Sequence, residues 1–181
     1  MRTLRSLGTR ASQRARTEAA WLRSRWGRAD LAVFNDFVTP PYGGGNQIQR
    51  ALVGELERRC LAVEVNRISP RTPACLFNSF TFDTARLRRF ARPGCRMVHR
   101  VDGPVALYRG FDDGTDGRVA EINQELAHAT IAQSRYSLEA HRQLGIVLRQ
   151  PTVVRNAVDP SLFYPPPRRA PLGRRRVRLV A

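Results

Sequence analysis

The 181-residue chain has no lysine; all 31 of its basic residues are arginine. Codon usage produces that bias as readily as phosphate binding does, so by itself it carries no functional weight. Cysteine is scarce as well. Cys60, Cys75 and Cys95 stand far apart with no C-x-x-C pair, which leaves neither a zinc site nor a disulfide framework and fits a reducing cytoplasm. Cys60 and Cys75 adjoin apolar strand residues and are expected as buried thiols. No run approaches the roughly 18 apolar residues needed to span a bilayer. A G-x-S-x-G elbow, a Walker loop and a G-x-G-x-x-G turn are all missing, so a hydrolase triad, an NTPase or a dinucleotide oxidoreductase has no anchor. There is no internal repeat.

What charge there is lies mostly at the two ends. The formal net charge is +16, yet residues 1–28 hold eight Arg against Glu18, and residues 161–181 hold six Arg and no acid. The stretch between is close to balanced, with seventeen Arg against fourteen acids. Basic tails attract anionic membranes or nucleic acid, so a non-catalytic Arg-rich module that binds nucleic acid through its tails is the alternative to an enzyme. The middle carries no recognition-helix or zinc-finger signature, and no specific nucleic acid is expected. In residues 1–28, Leu4, Leu7, Ala11, Ala15, Ala19, Leu22 and Trp26 recur at helical spacing among arginines. An interfacial helix in peripheral contact with a membrane, a transit peptide and a disordered leader all fit that pattern.

From residue 29 to 160 short apolar runs alternate with amphipathic stretches, the pattern of an α/β domain with a Rossmann-like parallel sheet and flanking helices. Strands are expected near 31–38, 61–68, 74–78, 96–101, 129–133 and 152–155, and helices near 46–59, 83–91, 116–127 and 135–144. In the first helix Ile48, Leu52, Val53 and Leu56 form the inner stripe, with Gln49, Arg50, Glu57 and Arg58 facing water. Ser134 is placed to cap the last helix and Gly145 to end it. Residues 161–175 read as a Pro/Arg-rich interdomain linker, and 176–181 as the first strand of a further domain.

Two segments carry the polar chemistry. The first strand runs into Gly43, Gly44 and Gly45, followed by Asn46 at a helix start. That is how an α/β protein brings backbone amides against a diphosphate or a polyhydroxylated ligand, although a glycine-rich turn without a ligand fits too. The second segment is Arg96 to Gly110. It gathers His99, Arg100 and Asp102 at the carboxyl end of a strand, where open α/β sheets bind ligands. His99 is the candidate proton carrier or hydrogen-bond donor, Arg100 the anion holder, and Asp102 the partner of a sugar hydroxyl or of a neighbouring Arg. A structural alternative is an Arg100–Asp102 ion pair beside a satisfied His99. Tyr108, Arg109, Asp112, Asp113, Thr115 and Asp116 form a polar loop whose carboxylates read as helix caps before they read as a metal site. His128 and His141 have no companion at metal-ligand spacing, and His141 is placed on an exposed helix face.

Taken in order, four landmarks resemble the amino-terminal half of a family 4 glycosyltransferase of GT-B architecture. They are PPYGGGNQ after the first strand, HRVDGPVALYRG with Gly114-Thr115-Asp116, ATIAQSRYS at 129–137, and NAVDPSLFYP at 156–165. Ala157 stands where the family's last motif has Gly. The resemblance implies an acceptor-binding front domain and a rear domain, outside this sequence, that binds a nucleotide-sugar donor. It implies retaining transfer to a glycan, lipid-linked or small-molecule acceptor without a metal or other cofactor. His99 would be the cleft histidine, and Gly43, Gly44, Gly45, Asn46, Arg100, Asp102, Tyr108 and Arg109 would surround the substrates. The paired carboxylates of the rear domain are not in this chain, so the resemblance implies little activity for it alone.

Overall fold

A computed structural model describes residues 29–39 and 43–157. The leader at 1–28, the linker at 161–175 and the strand at 176–181 lie outside the described residues.

Six strands form one all-parallel sheet: β1 (Leu31–Phe34), β2 (Val63–Val65), β3 (Ala74–Asn78), β4 (Arg96–Val101), β5 (Ala129–Ala132) and β6 (Pro151–Val153). The order across the sheet is β2-β1-β3-β4-β5-β6. The helices are α1 (Gly44–Arg58), α2 (Thr84–Phe90), α3 (Val105–Arg109), α4 (Thr115–Leu126) and α5 (Arg135–Gln143). This is the expected Rossmann-like α/β fold. The chain moves from β1 to one edge and then returns to the other side of β1, so the topological switch point lies between β1 and β3. In such sheets the crevice at the carboxyl ends beside the switch point is open to a ligand.

Alternation along each strand sends successive side chains to opposite faces. On one face the registers line up Phe34, Phe77, His99 and Thr130 across β1, β3, β4 and β5. Phe34 and Phe77 join Ala32, Cys75, Met97 and Leu87 in the main apolar cluster, and Phe82 meets both rings edge-on at 6.4 and 5.8 Å. Leu87 of α2 and Ile122 of α4 close this face. Asp83 caps α2 by accepting from the Arg86 amide at 2.8 Å, and Ser134 caps α5 through the Ser137 amide at 2.9 Å.

The opposite face of β3 carries α1, and here the helix sits differently from its sequence pattern. Gln49, expected in water, is fully buried, and Ile48, Leu52, Val53 and Leu56 are only half-buried. The reason is polar. Asn46 and Gln49 share a helix face one turn apart, and turning that face inward lets them meet the amides at the strand ends. Arg50 is drawn back over the loop, donating to the carbonyls of Phe37 and Val38.

β1 is shorter than the apolar run suggests, because the backbone N–H of Asn35 leaves the ladder and donates to Asn66 Oδ1 at 3.0 Å. α3 is an addition to the expected elements; at five residues it is too short to show periodicity. Cys60 is a correction. It ends α1 with φ of 62°, the left-handed conformation that turns a chain out of a helix, and its thiol is exposed while Cys75 and Cys95 are buried. Burial pushes both buried thiols above their ordinary range. Among the described residues no helix is long and apolar enough to cross a membrane.

Candidate functional site

At the carboxyl ends of the strands lies an open cavity of about 650 Å³. One edge is the glycine bend. Gly43 pairs φ of 62° with ψ of 129°, a combination outside the left-handed helical well that strains any residue with a Cβ, and a Cβ on Gly45 would stand 3.3 Å from Asn78 Nδ2 and 3.5 Å from Asp102 Oδ2. Gly44 has open space where its Cβ would be. Gly44 and Gly45 face the cavity, and because they open α1 their amides have no carbonyl one turn back.

Beneath this edge an amide network spans the switch point. Asn78 donates to Asn35 Oδ1 at 3.2 Å, Asn35 to Asn46 Oδ1 at 3.4 Å, and Gln49 to Asn78 Oδ1 at 3.3 Å. Asn46 also donates to the Val38 carbonyl at 2.8 Å, so it anchors the loop and does not line the cavity. Arg100, only 5% exposed, extends the network. Its Nη1 reaches Asn78 Oδ1 at 2.6 Å and Asp102 Oδ1 at 3.0 Å, and its Nη2 reaches Asn156 Oδ1 at 3.1 Å. Asn156 in turn donates to Gln133 at 2.9 Å. The guanidinium therefore holds Asp102 in place from below, and Asp102 itself lines the cavity.

The far wall is the acidic loop. Asp112 and Asp113 accept from the amides of Gly114 and Thr115, and Asp116 accepts from both Val105 and Ala106 at 2.7 and 2.8 Å. These carboxylates are caps: Asp116 opens α3, and Gly114, at φ of 78°, opens α4. Hydrogen bonds from Thr115, with Arg109 nearby, hold the Asp113 carboxyl below its ordinary range. Tyr108 and Tyr136 stand at the cavity with 64% and 70% of their surfaces exposed.

His99 is where expectation and structure part. It lies on the opposite face of β4 from Arg100 and has no accessible surface. Its Nε2 is 2.7 Å from the Ser79 carbonyl, its Nδ1 is 3.1 Å from Asn123 Nδ2, and its ring stacks on Phe77 at 4.5 Å. Desolvation pushes its pKa down to about 4, against the pull of the Ser79 carbonyl, so at neutral pH it is an uncharged packing group. One residue along the strand decides this: Arg100 takes the α1 face, and His99 takes the packed one. His99 does not reach the cavity, and the Arg100–Asp102 ion pair beside a satisfied His99 is what the structure contains.

Of the expected set, the structure brings Gly44, Gly45, Asp102, Tyr108 and Arg109 together around one space, with Gly43 and Asn46 shaping the loop and Arg100 bracing it. Sequence reasoning passed over the amides and one histidine. Asn35, Asn78, Gln133 and Asn156 each stand at or just beyond the end of a strand, and that repeated amide at the carboxyl end was the signal to read. His141, expected on an exposed face, is buried at 1% exposure and lines the cavity. His128 accepts the Met97 amide on its Nδ1 at 2.9 Å and serves the turn into β5. Comparison with models of protein families, with curated proteins and with solved structures finds no match for this chain.

Proposed function

We propose that the cavity is the acceptor side of a glycosyltransferase that moves a sugar from a nucleotide-sugar donor onto a glycan, lipid-linked or small-molecule acceptor. The observation that carries this reading is a single one. At the switch point of a parallel sheet, free glycine amides, a carboxylate braced from beneath and two exposed tyrosine rings surround one open space.

Each group has a task that a saccharide would meet. The tyrosine rings offer flat apolar faces to the C–H side of a pyranose. Asp102 keeps Oδ2 for a hydroxyl while Arg100 occupies Oδ1. Gly44 and Gly45 donate to a ring or hydroxyl oxygen. Arg109, tied to Asp113 at 3.3 Å, shapes the rim. In this reading the donor nucleotide is held mainly by a second domain, and the order of the sequence landmarks supports it.

The test is transfer itself. The chain, expressed with whatever follows it in its gene, is offered a panel of nucleotide sugars with simple glycoside acceptors, and release of the nucleotide is measured. Transfer is expected, and Asp102→Ala should weaken acceptor use by about 10- to 100-fold, the worth of a hydrogen bond to a charged group. Absence of both transfer and donor hydrolysis across the panel overturns the reading.

A further inference from the structure

The cavity does receive an imidazole, but from α5. His141 sits in the last turn of that helix, lines the cavity and has 1% of its surface accessible. Its Nδ1 lies 2.7 Å from the carbonyl of Ser137, one turn earlier. A carbonyl can only accept, so Nδ1 carries the proton, and Nε2 of the neutral ring is left as a bare acceptor. Nε2 has no hydrogen-bond partner among the described residues. The open space that His141 lines is the cavity, and Nε2 is the ring nitrogen left for it.

We propose that Nε2 of His141 accepts a hydrogen bond from a hydroxyl of the cavity's ligand, and that this ligand is a neutral polyol and not an anion. The inference rests on the saccharide reading above and narrows it. The charged groups around the cavity argue against an anion. Asp102 after β4 and Asp113 and Asp116 around the start of α4 are carboxylates, and the one cation lining the space among the described residues is Arg109 of α3, already paired with Asp113. Arg100 lies beneath and is paired with Asp102. A phosphate would face these carboxylates without an unpaired cation. A hydroxyl group instead donates to Asp102 or to His141 and accepts from the glycine amides, and Tyr108 and Tyr136 supply the apolar faces that a sugar ring covers. His99 lies behind His141, on the packed face, with both of its nitrogens engaged.

The experiment uses this chain, labelled with ¹⁵N, and reads its histidine side chains by long-range ¹H–¹⁵N correlation. The probes are methyl α-glucopyranoside, methyl α-mannopyranoside and myo-inositol, with inorganic phosphate as the anionic control. In spectra recorded where the imidazole is neutral, free His141 should show the Nδ1–H tautomer, with Nε2 bare. Saturation with at least one polyol should shift Nε2 of His141 together with the Gly44 and Gly45 amides and leave His99 unmoved. His141→Leu should weaken that polyol by about 3- to 10-fold, the range for a neutral hydrogen bond, and His141→Gln, whose amide oxygen also accepts, should recover part of the loss. The wild-type spectra carry the claim even where a variant folds poorly. A polyol that moves the glycine amides but not Nε2 of His141 overturns the role of His141 and leaves the saccharide reading standing. Phosphate moving both sets while the polyols move neither overturns the neutral ligand. Silence from all four probes overturns this inference and the saccharide reading together.

Discussion

Two adjacent rows of the same sheet, one residue apart along the strands, have opposite characters. The row of Phe34, Phe77, His99 and Thr130 faces the main core, where even the imidazole is used as a stacked, uncharged plate. The next row sets Asn78 beside Arg100 on the other face, with Asn35 just beyond β1, and every one of these side chains is linked to another polar group. The difference shows that burial does not separate the packing row from the row beneath the candidate site, since both are buried. What separates them is whether the polar chain ends at a group that meets open space. The first row ends on backbone and on Asn123; the second ends at Asp102 and the cavity.

The comparison breaks most severely in the first row. Phe77→Ala removes a fully buried ring that touches Phe82 and His99, and should cost about 3–5 kcal/mol in denaturant unfolding. An effect below about 1 kcal/mol would show that the row is not core. Next comes the pH response of His99. Its folded pKa is pushed down to about 4, whereas the unfolded group titrates at 6.5. Above pH 6.5 both states are neutral and the site contributes no pH dependence. Between 6.5 and about 4 the unfolded chain binds a proton that the folded chain refuses, so stability falls as pH drops, by about 3 kcal/mol in all, and levels off below. His99→Leu should remove that part of the slope, read as unfolding midpoints between pH 7 and pH 4.5.

The second row is sharpened by its glycines. Gly43→Ala puts a Cβ on that strained backbone conformation and should cost about 1–2 kcal/mol. Gly45→Ala should cost about 1 kcal/mol through contact with Asn78 and disturb Asp102. Gly44→Ala meets nothing and should leave stability unchanged or raised by less than about 1 kcal/mol. Thermal unfolding of the three variants tests the ranking. The smallest effect belongs to Gln49→Met. The Oε1 of Gln49 is buried without a partner, and Asn78 Oδ1 keeps its bond from Arg100, so the change should stay within about 1 kcal/mol of neutral.

Strands and helices were legible in the sequence because period-2 and period-3.6 patterns report which side of an element is apolar. Gly145, at φ of 73°, and Ser134 end and begin helices as their chemistry dictates. What stayed hidden was decided by contacts between distant segments. Gln49 looks like a solvent-facing residue until Asn78, 29 positions away, is placed opposite it. His99 and Arg100 look equally suited to a cleft, and only the phase of β4 against its neighbours assigns one to the core and the other to the crest. Cys60 resembles a strand thiol because an apolar run follows it, but the end of α1 comes first. His141 resembled a surface residue because its helix is short and polar, while Ser137 and Ala140 show that the same side packs inward.

The clasp on Asn156 has a mechanical side. The polypeptide leaves β6 and, three residues later, is gripped by the same guanidinium that braces Asp102. Tension on the backbone at Ala157 would therefore travel through two hydrogen bonds to the lip of the cavity, making the exit of the chain from the sheet a lever on the shape of the space above it.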